Sequence, residues 1–151
     1  MFYEDFKLGQ EFKTTSRTVT PTDIELFTSF TWAVNPLFLN EQYARERGFP
    51  TRLAPGALVI SFAIGLLYQT GIFDHIIALA GIDKLAFKSP THAGDVIMAR
   101  AVVSEVRETK TGDRGLVRFN VQCLNLSRNT TAFEAEMVFV MLRKSLSQPN
   151  G

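Results

Sequence analysis

The chain has little of what metal, redox or nucleic-acid chemistry requires. A single cysteine, Cys123, among 151 residues excludes an internal disulfide and any cysteine-based zinc cluster. Two histidines, His75 and His92, leave little material for a histidine metal site, so no metal is expected. An excess of charge of one sign is also missing. Sixteen Lys and Arg against fifteen Asp and Glu give a formal net charge of +1. A nucleic-acid binder needs a basic surface to displace counterions, so nucleic acid is not an expected partner. The start, Met1-Phe2-Tyr3-Glu4-Asp5, has neither a basic nor an apolar leader segment, which points to the cytoplasm. Long hydrophobic runs are scarce. Residues 53–73 carry no charge, but Pro55, Gly56, Ser61, Gly65, Gln69, Thr70 and Gly71 interrupt them. A membrane span uses about 20 predominantly apolar residues, and the apolar heart here covers only 57–67. The expectation is a helix buried in protein, not in a membrane.

What is present is ordinary globular material, 46% hydrophobic and 21% charged, enough for one domain over residues 1–144 with a disordered tail at 145–151. Residues 10–19, rich in threonine, read as a first strand. Thr20-Pro21-Thr22-Asp23 opens a helix: threonine caps, proline fits the first helical position, and the acid three residues later complements the N-terminus. Ile24, Phe27 and Phe30 give it an apolar face, and it must stop before Asn35-Pro36. Asn40 caps a second helix through Tyr43 and Ala44 that Gly48 closes. A third helix starts near Gly56 and is apolar all round, so it must be surrounded. Strands at 85–89, 96–108, 116–126 and 130–143 supply the wrapping. Val117, Phe119, Val121 and Cys123 alternate with Arg118, Asn120 and Gln122, and Phe133, Ala135, Met137, Phe139 and Met141 repeat the pattern. Short turns between long strands favour antiparallel pairing. The expected class is α+β, a curved antiparallel sheet around one buried helix. Val138 and Val140, apolar on the opposite face, suggest that the outer surface or an edge is covered by a second copy.

Phe27, Asn35-Pro36-Leu37, Ala54-Pro55-Gly56-Ala57-Leu58 leading to Ser61, Leu85-Ala86-Phe87-Lys88-Ser89-Pro90 and Gly94-Asp95, in this order, resemble the MaoC-like branch of the hotdog fold. That branch contains (R)-specific enoyl-CoA hydratases and 3-hydroxyacyl-thioester dehydratases. The resemblance runs from about residue 2 to 144. It implies an acyl-CoA or acyl-carrier thioester as ligand, with coenzyme A entering only as part of the substrate and no separate cofactor. It also implies a homodimer, or a heterodimer with another MaoC-like subunit. The family's reaction uses a histidine and an aspartate as general base and acid, with a backbone N–H at the central helix's start holding the thioester oxygen. The resemblance places the aspartate two residues before Asn35 and the histidine two after Pro36. Those positions are Ala33 and Phe38, and neither side chain has an exchangeable proton.

The resemblance therefore implies the binding cavity more than the reaction. The expected substrate-binding residues are Asn35, Gly56, Ala57 and Ser61. For each, a plainer role stands beside it: Asn35 ties down its loop, Gly56 permits a tight helix entry, and Ser61 bonds back to its own helix. Phe38 and Trp32 either narrow the former catalytic space or pack in the core. Arg52, Lys84 and Lys88 either meet coenzyme A phosphates or are solvated charges. Tyr43 and Tyr68 read as packing, and His75 and His92 as solvated or locally bonded imidazoles. Four functions compete. The first is a non-catalytic or partner-dependent acyl-thioester-binding subunit. The others are a hydratase with relocated chemistry, for which Glu41 is the nearest carboxylate; an acyl-CoA thioesterase, disfavoured because residues 57–70 hold no acid; and a scaffold that binds no thioester.

Overall fold

A computed structural model describes residues 1–144; the expected tail at 145–151 lies outside the described residues. After a 3₁₀ turn at Tyr3–Asp5, the chain forms β1 (Glu11–Lys13), β2 (Arg17–Thr18), α1 (Pro21–Thr31), α2 (Pro36–Leu39), α3 (Glu41–Glu46), α4 (Gly56–Tyr68), β3 (Ile76–Phe87), β4 (Val96–Glu108), β5 (Arg114–Asn125) and β6 (Thr130–Leu142). The strands make one antiparallel sheet in the order β1-β4-β5-β6-β3, with β2 also on β4. No helix among the described residues is long and apolar enough to cross a membrane.

Local chemistry places the helices. Thr20 and Asp23 exchange capping bonds at the start of α1, with Asp23 N–H on Thr20 Oγ1 at 3.0 Å and Thr20 N–H on Asp23 Oδ2 at 2.9 Å. Asn40 caps α3 at 3.0 Å. Beyond α3, Gly48 takes φ 89° while its N–H reaches Arg45 O and that of Phe49 reaches Ala44 O, the paired bonds of a left-handed helix stop.

The sheet curves around α4 as its alternation demands. Val117, Phe119, Val121 and Cys123 of β5, with Phe133, Met137, Phe139 and Met141 of β6, are buried in one core with Leu58, Val59, Ala63 and Leu67 of α4. Phe119 lies edge-on to Phe6, Phe73 and Phe139, each such pair worth about 0.5–1.5 kcal/mol beyond its buried area. The other face mixes apolar side chains, Val138 and Val140 among them, with charged ones. Arg118 bridges Asp83, Glu105 and Glu136 at 2.7–3.3 Å, and Arg100 joins Glu11 and Gln122.

Four expectations need correction. The strand expected at 10–19 is two short pieces, because the ladder breaks at Thr14: its N–H still donates to Ala99 O at 3.0 Å, but its hydroxyl takes the place of its carbonyl and accepts from Ala99 N–H on β4 at 2.9 Å. The strand expected at 85–89 begins at Ile76, its register shifted at Ile76/Ala78, Leu79/Gly81 and Asp83/Ala86. The helix α4 is not covered all round: Ala57, Ser61, Gly65 and Tyr68 lie on an exposed stripe. Finally, Val138 is buried within the chain, so it needs no second copy; the sheet's uncovered apolar side chains include Ile77, Leu79, Ile82, Leu85 and Phe87 on edge strand β3.

Candidate functional site

The start of α4 opens into a cavity of about 450 Å³. Its wall combines Phe38 from α2, Ala54, Gly56 and Val59 from the start of α4, and Phe87, Lys88 and Thr91 from the end of β3 and the segment after it. Two bonds register these pieces: Leu53 N–H donates to Leu37 O at 3.0 Å, and Ala54 N–H to Thr91 O at 2.8 Å. The Phe87 ring packs against the bare backbone of Gly56, where a Cβ would stand 2.8 Å from Phe87 Cζ. No side chain caps α4 at Pro55. The first N–H groups of a helix have no intrahelical acceptor, so an oxygen in this cavity can receive them together with the helix dipole.

The expected site residues divide. Phe38 and Gly56 meet across the cavity. Ala33 sits exposed in the loop after α1, outside the wall. Asn35 caps α2, accepting from Leu37 N–H at 2.9 Å. Ala57 and Ser61 lie on the exposed stripe of α4, and Ser61 Oγ donates to Ala57 O at 2.8 Å. Of the three expected cations, only Lys88 reaches the cavity. Arg52 pairs with Glu25 at 3.1 Å and Lys84 with Glu136 at 3.4 Å. Phe87 and Thr91 were not expected in the wall; the alternation of β3 that would have aimed Phe87 is broken by its bulges, and Thr91 lies beyond the strand.

This wall has no carboxylate, imidazole, phenol or thiol. Glu41 is outside it, accepting from Arg45 and Thr51. His75 stacks on Phe2 with ring centroids 3.7 Å apart. Tyr43 lies under Arg47 and Tyr68 against Phe73. Cys123 is no nucleophile, because burial pushes its thiol up to about 12.

His92 differs from the expected solvated or locally bonded imidazole. It is 4% exposed, in a bridge with Leu53, and neither ring nitrogen makes a hydrogen bond. Burial holds it below its usual range, Arg128 adds to that, and Asp95, 3.5 Å from Nδ1, opposes it. It is not part of the cavity wall. Burial would raise the Asp95 carboxyl, but donation from His92 N–H, Arg128 and Asn125 at 2.7–2.9 Å holds it low.

Residues 5–122 match the family described as MaoC like domain. The chain is 30% identical over 122 residues to the (R)-specific enoyl-CoA hydratase of Rhodospirillum rubrum, covering 81% of this chain and 80% of that protein. It is 28% identical over 148 residues to the mitochondrial 3-hydroxyacyl-[acyl-carrier-protein] dehydratase of Arabidopsis thaliana, covering 94% and 84%. The MaoC-like dehydratase structure from Rhodospirillum rubrum superposes with a TM-score of 0.84 at 25% identity, over 96% of this chain and 99% of that one. The fold is shared with the C-terminally truncated HadBC (3R-hydroxyacyl-ACP dehydratase) complex of Mycobacterium tuberculosis, at 22% identity, a TM-score of 0.72 and coverage of 88% and 96%.

Proposed function

The chain belongs to the MaoC-like family, and from that premise we propose that it is an acyl-thioester-binding subunit without an acid–base pair of its own, completed by a second MaoC-like chain. One observation carries this reading: the cavity at the start of α4 is open, yet its wall has no carboxylate and no imidazole. The helix start offers N–H donors to a thioester oxygen, and Phe38, Val59 and Phe87 offer an apolar bed to the acyl chain. General acid–base catalysis contributes about 10²–10⁴ in rate, and Ala33 and Phe38 contribute none of it. The exposed apolar edge of β3 and the small-residue stripe of α4 suit a partner chain of the same fold.

The test separates binding from turnover. Butyryl-CoA should bind to the purified chain, while crotonyl-CoA should be hydrated by it at no more than the uncatalysed rate. The F38H variant, which puts an imidazole in the wall, should gain hydration, on the order of 10²-fold. Efficient hydration by the unaltered chain alone would overturn the reading and point to relocated chemistry; release of free thiol would point to a thioesterase.

A further inference from the structure

The reading of the cavity as a thioester site is the premise here, and it leaves one charged side chain in the wall unexplained. We propose that Lys88 recognises a phosphate on the carrier half of the thioester. Lys88 follows the last residue of β3, and its main chain is fixed by a bond from Lys88 N–H to Ala132 O at 2.9 Å. The side chain is exposed at the rim, beside Phe87. Arg52 and Lys84 are taken up by Glu25 and Glu136, whereas Lys88 has no carboxylate partner among the described residues. The cavity wall holds no acid to compete for it. The cavity thus has two electropositive features, the uncapped start of α4 inside and Lys88 at the mouth.

A ligand with charge at both places fits this arrangement. Its carbonyl oxygen meets the helix start, and an anion meets the ammonium. A cavity of about 450 Å³ encloses a ligand of ordinary drug size. Coenzyme A is larger than that, so its phosphates fall outside, at the rim where Lys88 stands. A carrier-bound 4′-phosphopantetheine presents the same chemistry, a phosphate beyond a thioester-bearing arm. The rim is solvated, so the contact is modest and salt-dependent.

Three probes distinguish the sources: butyryl-CoA, butyryl-4′-phosphopantetheine and butyryl-pantetheine, the last without phosphate. By calorimetry at low salt, Lys88→Gln should weaken one or both phosphorylated probes about two- to fivefold and leave butyryl-pantetheine unchanged. Lys88→Arg should restore affinity, and added salt should erase the difference. Loss with both phosphorylated probes assigns the contact to the 4′-phosphate; loss with butyryl-CoA alone assigns it to the nucleotide phosphates. Equal affinity of the unaltered chain and Lys88→Gln for all three overturns the role of Lys88 and leaves the cavity reading standing. If the unaltered chain binds none of the three, the cavity reading itself fails, and this inference with it.

Discussion

At the scale of single residues, His92 has the most unusual surroundings. Its ring is buried with both nitrogens unbonded, facing Phe49 on one side and the Asp95–Arg128 pair on the other. The folded state keeps it neutral below its usual range, so the unfolded chain takes up the proton first as pH falls. Stability is therefore full above about pH 6.5 and declines below it. Asp95, held low by its donors, adds a further loss at stronger acid, in the same direction. The urea midpoint should drop between pH 7.5 and 5.5, and His92→Gln should flatten that slope; an unchanged slope would mean the proton is taken up elsewhere. The place of Phe38 in the wall was legible from sequence because a motif fixes its spacing from Asn35-Pro36, whereas Ala33, read from the same motif, lies outside the wall. The burial of His92 was not, since a histidine between proline and glycine in a turn gives no sign that Phe49 from a distant loop closes over it.

Among the elements, α1 and β3 have the unusual features. Helix α1 ends at Trp32, whose φ of 64° lies in the left-handed region that a bulky side chain occupies at a cost of about 1–2 kcal/mol. The indole is 88% exposed and returns no packing within the chain, and Phe30 beside it is 89% exposed. Trp32→Gly should therefore stabilise the isolated chain, by about 0.5–1 kcal/mol after glycine's own entropy cost, read from denaturant unfolding. A loss of stability would show that the indole packs in the unbound chain. The strands β5 and β6 could be read from sequence because strict alternation continues through a core buried on one side. Most of β3 could not. Its bulges break the period of two, Lys84 at φ 50° re-aims the chain, and an edge strand imposes no burial on alternate positions.

At the scale of the molecule, the sheet is finished on one side and open on the other. Edge β1 is short, which blunts it, while β3 presents 12 residues with apolar side chains uncovered. Such an edge invites pairing. In sedimentation the purified chain should be a dimer, burying more than about 1,000 Å². Replacing Leu79 and Ile82 with lysine should split the assembly and leave the monomer folded, because both residues lie outside the core. An assembly that survives would place the interface elsewhere. The wrapped-helix architecture was legible from the sequence, but the uncovered stripe of α4 was not: Ala57, Ser61 and Gly65 count as apolar or small in any pattern, and only the fold shows which way they point.

The chain contains one tryptophan, and it is the strained, uncovered Trp32. Emission from this protein therefore reports on a single spot at the end of α1. Water around the indole should give red-shifted fluorescence that an aqueous quencher reaches freely. Any chain that settles over α1 would move the spectrum to the blue and shield it, so assembly can be followed by light without a dye or a tag.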